Sequence, residues 1–336
     1  MGFGSWYDKN YKKLLVLTAI VLLSAIGYLL FFYTQTGDII NKDVSLTGGT
    51  VFTIYTDIPP SEVITHLSSE FSDFSVNSIS DSAGKQTQLI VTVHEDQREA
   101  VQTSLEGFLG FELNGENSSI ETTSASLSAD FYRQLIIAVL LAFFWMSAVV
   151  FLIFSKGKKI KTYVVIINLL FGFFMGSLFF KLNFILSLLI FFLFLLLLIY
   201  IYIKNSIPAF AVILSAFADI TMTLAVITFS GIKLSTAGIV AFLMLIGYSV
   251  DTDILLTTRM LKRKEGINTT LFSAFKTGIT MTLTSIIAVL TALFVIYNFN
   301  SVLNQIFIIL IIGLSFDIFN TWITNASLIK WYAEKK

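Results

Sequence analysis

Eight long apolar runs, at residues 14–33, 135–154, 162–180, 184–203, 209–229, 234–256, 270–296 and 302–329, fill most of this sequence. A helix needs about 20 apolar residues to cross a hydrocarbon core. Backbone in lipid must also satisfy its own hydrogen bonds, which leaves helices or closed barrels. Runs of this length predict helices. With 55% hydrophobic and 13% charged residues, the composition is that of a polytopic membrane protein. Cysteine is absent, which excludes disulfides, a thiol nucleophile and a thiolate metal site. The two histidines, His66 and His94, both fall in the single polar stretch, which argues against a histidine-built metal centre.

The zero formal net charge conceals a segregation. Residues 34–130 hold fifteen acids and three bases, Lys42, Lys85 and Arg98; the rest of the chain holds nineteen bases and seven acids. Lys9, Lys12 and Lys13 precede the first run, which is too long for a signal-peptide core and reads as a retained anchor. Basic clusters at 156–161, at Lys204, at 259–264 and at the C-terminus alternate with outer turns that hold only Lys181 and Lys233. Basic loops stay in the cytoplasm, so both termini are expected inside and residues 34–133 outside.

That outer stretch has the size of a small domain. Strand-like runs occur at 51–55, 74–80, 88–94 and 119–125. Pro59 and Pro60 open a helix with Val63, Leu67 and Phe71 on one face, and 97–109 repeats the pattern with Val101, Leu105 and Phe108. Strand, helix, strand, strand, helix, strand is the ferredoxin-like order. Its acidic surface reads most simply as a solvated face.

The segment GYSVDTDILLTTR at 247–259 places Asp251 and Asp253 inside an apolar run that ends in a basic cluster. It resembles the signature of the SecF family, in its archaeal form, a branch of the resistance-nodulation-division superfamily. Other blocks carry the same resemblance: DVSLTGGT at 43–50, 119–134, 208–220, KTGITMT at 276–282 and DIFNTWITNA at 317–326. In the first of these, Gly48 and Gly49 are expected to make a turn closed to other residues. The family pattern is one span, an external domain, then five spans. Here residues 156–205 add two more, expected as a peripheral hairpin; GFFMG at 172–176 is a possible close helix contact within it. The expected organisation is a first span at 1–33, an external ferredoxin-like domain at 34–133, a second span at 134–155, the inserted hairpin at 156–205 and a four-span core bundle at 206–336.

Charges inside spans are costly and mark function or interfaces. The residues singled out are Asp219, Asp251, Asp253, Lys276 and Asp317. Asp251 and Asp253 lie about 12 and 9 Å before Arg259, and Lys276 roughly 9 Å past Thr270, at 1.5 Å per residue. An ion pair between Lys276 and one aspartate is therefore expected, but not with both, since two residues turn a helix by about 200°. Asp219 and Asp317 fall near the middle of their runs, with Thr221, Thr223 and Asn320 close by. A structural network, a proton relay and a site for another ion remain alternative readings.

The resemblance implies a SecD-like partner subunit, action beside the SecY translocon on a translocating polypeptide in contact with membrane lipid, and coupling to proton movement. No cofactor, no nucleic acid and no enzymatic activity are expected. No glycine sits two residues before either aspartate, as an intramembrane aspartyl protease requires, and phosphate-binding glycine patterns are absent. The alternative is a small-molecule or lipid transporter of the same superfamily. Such pumps carry two copies of the span unit, and this chain has one.

Overall fold

The computed structural model describes residues 3–72, 74–80, 85–179, 181–263, 265–296 and 302–335. Helix α1 (Phe3–Thr36) leads through the short α2 (Val44–Thr47) into a small domain. That domain comprises β1 (Gly49–Ile54), α3 (Pro60–Leu67), β2 (Phe74–Ser80), β3 (Gln86–Val93), α4 (Arg98–Leu109) and β4 (Ser118–Thr123). The bundle follows as α5 (Ala125–Phe154), α6 (Lys158–Phe173), α7 (Phe184–Asn205), α8 (Ile207–Phe229), α9 (Thr236–Leu261), α10 (Ile267–Ile296), α11 (Val302–Phe319) and α12 (Ala326–Glu334). A π-helical stretch at Asn320–Asn325 joins α11 to α12, and another at Phe174–Leu178 extends α6. Among the described residues, eight helices are long and apolar enough to span a membrane.

The domain is a four-stranded antiparallel sheet in the order β2-β3-β1-β4, the ferredoxin-like arrangement. Phe52 lies opposite Val91 on one side and Ile120 on the other. Leu89, Val91 and Val93 point to one face by strand alternation and are fully buried against Val63, Leu67, Val101 and Leu105 of the two helices. The last strand is shorter than its sequence suggests. Ser124 caps α5, accepting from the Leu127 N–H, so α5 begins ten residues before the apolar run.

The lead-in to the domain is pinned to the α8–α9 turn. The Leu234 N–H donates to the Asn41 carbonyl at 2.6 Å, and the Asp43 N–H donates to the Leu234 carbonyl at 3.0 Å. Ile40 and Leu46 pack with Ile227, Leu234 and Ile239. Of the two lead-in glycines, Gly48 makes the turn, at φ +90°, while Gly49 is already the first residue of β1.

α8 and α9 are the most buried spans, with α1, α5, α10 and α11 around them. α6 and α7 pack outside, against α5 and α8, through phenylalanines such as Phe144 and Phe171, whose rings stack at 4.1 Å. Gly172 and Gly176 make no close helix contact: a Cβ on the first would meet only Leu141 at 3.9 Å, and on the second nothing within 4 Å. Close approaches occur instead at Gly238 of α9, Gly313 of α11 and Gly278 of α10. Gly278 packs against the π-helical stretch at Asn320–Asn325. A Cβ there would lie 2.5 Å from Cζ2 of Trp322 and 3.2 Å from Thr252.

One buried charge fastens the chain's two ends together. Lys330 of α12 is 1% exposed, and its ammonium donates to Asp8 of α1 and Asn268 of α10, with Glu334 at 3.6 Å. Tyr7 of α1 bonds Ser327 at 3.0 Å beside it.

Two outcomes follow from this packing. Gly278→Ala should destabilise the detergent-solubilised protein by about 1–3 kcal/mol through overpacking against Trp322, read as a lowered melting midpoint. Asp8→Asn, which leaves the buried ammonium only the more distant Glu334 as counter-charge, should cost about 1–3 kcal/mol. The double variant Asp8→Asn/Lys330→Met should melt closer to wild type than Asp8→Asn alone, because no uncompensated charge then remains.

Candidate functional site: a layer of buried carboxylates

Asp219 on α8, Asp253 on α9 and Asp317 on α11 are all fully buried. Periodicity explains why Asp253 rather than Asp251 faces inward. Ser249, Asp253 and Thr257 are four residues apart and share the buried face of α9, whereas Asp251 is turned outward with Tyr248 and is exposed.

Asp219 accepts two hydrogen bonds from neighbouring helices. The Ser249 hydroxyl donates to Oδ2 at 2.5 Å, and the Asn320 amide donates to Oδ1 at 2.7 Å. Asn320 is itself oriented by Thr324, whose hydroxyl donates to its Oδ1 at 3.2 Å. Asp317 accepts from Thr321 at 3.2 Å, one turn along its own helix, and from Thr282 of α10 at 3.3 Å. Asp253 accepts from the Asn325 amide at 2.8 Å on Oδ1. Its Oδ2 is buried, with the Ser215 hydroxyl of α8 and the Thr321 hydroxyl as its polar neighbours but neither in close hydrogen-bond geometry; the Thr223 hydroxyl of α8 is likewise buried without a close partner among the described residues.

Among the described residues no lysine, arginine or histidine forms an ion pair with any of the three. Asp317 lies within electrostatic reach of both Asp219 and Asp253. Unpaired charge in a low-dielectric interior is expensive, and like charges disfavour one another. Three full charges in this layer would therefore be costly. Among the described residues, no three carboxylates or histidines converge as a metal site would require.

The expected ion pair of Lys276 with Asp251 or Asp253 is not formed among the described residues. α10 turns Leu271, Ala274, Gly278 and Thr282 toward the bundle. Lys276 lies two residues from both Ala274 and Gly278, so it falls on the opposite, exposed face. Thr221, also singled out, donates to the Phe217 carbonyl of its own helix and not to an aspartate.

Sequence reading missed Ser249, Asn325 and Lys330. The first two had a signal. Ser249 is one turn from Asp253, and Asn325 lies eight residues after Asp317 in a block already singled out. Lys330 had none, because a lysine near the end of an apolar run reads as a marker of the membrane surface.

The fold and this layer define a class: polytopic membrane proteins with a ferredoxin-like domain after the first span and polar helices closing the bundle. A family model described as "Protein export membrane protein SecD/SecF, C-terminal" matches residues 174–335. The protein-export membrane protein SecF of Methanocaldococcus jannaschii is 34% identical over 297 residues, 87% of each chain. That of Haloferax volcanii is 31% identical over 322 residues, 95% of this chain and 90% of the relative. Among solved structures, SecDF from Thermus, a translocon-associated membrane protein, superposes with a TM-score of 0.56 at 14% identity. It matches 98% of this chain, which spans only 38% of that longer one. The chain belongs to the SecF family of protein-export membrane proteins.

Removing a donor from this layer should be felt. Asn320→Leu leaves Asp219 Oδ1 without its bond and should cost about 1–3 kcal/mol. Asp251→Asn, on the exposed face, should stay within about 0.5 kcal/mol. Denaturant titration of the purified protein checks both.

Proposed function

We propose that this chain is the SecF-like subunit of a SecDF complex in the cell membrane. It assists translocation of polypeptides across the membrane, or their insertion into it, beside the SecY translocon, and draws on the proton motive force. The observation that carries this reading is the set Asp219, Asp253 and Asp317, buried in the spans with no cation beside them among the described residues. A carboxylate group that cannot be fully charged exchanges protons with whatever water reaches it. Asp253 Oδ2 and the Ser215 and Thr223 hydroxyls, buried polar atoms without a close hydrogen bond among the described residues, are the groups such water would meet.

A SecD-like partner is supported by two features. The solved SecDF chains are more than twice as long as this one and include a fold like it. Asp251 and Lys276 also lie exposed within spans, where lipid would be a poor neighbour and another subunit a good one. The basic clusters support cytoplasmic termini, with residues 34–133 outside and in position to meet emerging polypeptide.

Single Asp→Asn substitutions at 219, 253 and 317 test the relay. Export of a signal-bearing reporter into vesicles with an imposed proton gradient should fall roughly tenfold or more for at least one of them, as for loss of a proton-transfer group. Wild-type export by all three would leave the layer a purely structural network.

A further inference from the structure

At the end of the bundle where α9 stops and α10 starts lies an open cleft of about 400 Å³. Its lining includes Arg259, Lys262, Arg263, Thr270 and Ser273, with Glu265 as its one carboxylate. Among the described residues none of the three cations forms an ion pair, with Glu265 or any other acid.

The arginines are instead fixed by neutral groups. Nη1 of Arg259 donates to the Thr277 hydroxyl at 2.9 Å and the Ser273 carbonyl at 3.3 Å, which leans it against α10. Arg263 donates to the carbonyls of Met260 at 3.2 Å and Ala333 at 3.4 Å. Both guanidiniums are thus held in place by bonds that leave their charge uncompensated. Nε and Nη2 of Arg259 have no acceptor among the described residues.

We propose that this cleft binds a phosphate-bearing anion, and that its source is the headgroup of an anionic membrane lipid. Guanidinium, ammonium and hydroxyl groups together make the donor set that a phosphate takes up. A basic pocket between helices at the membrane surface suits lipid headgroups in particular. The flanking residues favour lipid over a free ion. Leu261, just before Lys262, and Phe272, just before Ser273, are both exposed, which offers apolar surface for the glycerol and upper acyl chain. The cleft also sits at the adjoining ends of two helices long and apolar enough to span a membrane, α9 and α10.

The test is native mass spectrometry of the full chain in neutral detergent, titrated separately with phosphatidylglycerol and phosphatidylcholine. Wild type should bind phosphatidylglycerol more tightly. Each charge removed at a membrane surface is worth about 1 kcal/mol, or roughly fivefold. Lys262→Gln, at an exposed side chain with no hydrogen bond or ion pair among the described residues, should therefore weaken phosphatidylglycerol binding about fivefold. Arg259→Gln/Lys262→Gln should weaken it about 30-fold, with phosphatidylcholine unchanged in both. Equal phosphatidylglycerol affinity in wild type and Lys262→Gln would overturn the site, even if the double variant failed to fold. Millimolar inorganic phosphate that bound alone and displaced phosphatidylglycerol would overturn the lipid as its source, and no displacement would support it.

Discussion

The cost of placing charge in hydrocarbon organises this molecule. Each buried carboxylate recruits a donor from another helix, and each such bond is a cross-link. Ser249 ties α9 to α8 through Asp219, Asn320 ties the π-helical stretch to α8 through the same group, and Thr282 ties α10 to α11 through Asp317. Without a hydrophobic driving force between helices in lipid, polar bonds and close packing set how spans associate. The layer therefore ties α8, α9, α10 and α11 together at one set of polar bonds.

The π-helical stretch at Asn320–Asn325 is how one span serves two carboxylates on different helices. Its amides reach Asp219 through Asn320 and Asp253 through Asn325, while Thr321 still serves Asp317 on its own helix. The wider winding displaces successive side chains around the axis, and such bulges recur at functional sites for this reason. α9 adds a second connection. Its inner face carries Asp253, and the turn before it, at Leu234, is bonded to the lead-in of the external domain. A helix that carries a titratable group at one level and grips the domain's stem at another links the two mechanically.

Much of this was legible in the sequence, for physical reasons that differ by element. The spans announce themselves by length, and the sheet by alternation: Leu89, Val91 and Val93 are buried as their pattern requires. Asp219, Asp253 and Asp317 stood out because carboxylates in apolar runs are rare. Their arrangement did not, since it depends on helix rotation. The expectation that Lys276 would pair with an aspartate considered depth along the membrane and left out the face of α10. The small residues Ala274 and Gly278 fix that face, packing where Lys276 cannot. Gly172 and Gly176 show the converse: small residues at the right spacing with no close backbone approach against them. Lys330 was illegible because its partners Asp8 and Asn268 lie far away in sequence and on different helices.

Asp251 and Asp253 show how one helix can hold two answers to the same cost. They sit two residues apart, and the helical turn sends them to opposite sides. Asp253 accepts one bond from within, from Asn325 on Oδ1, whereas Asp251 is left outside, at a level where lipid would be costly. Lys276 of α10 is exposed in the same way. A chain meant to stand alone in lipid gains nothing from an acid and a base on its outer face. A chain that is half of a larger bundle gains groups that a second subunit must match, and mismatched partners leave buried charge unpaired. The inward carboxylates and the outward pair thus meet the same cost differently: the first set is bonded by donors within the bundle, and the second is left on its outer face.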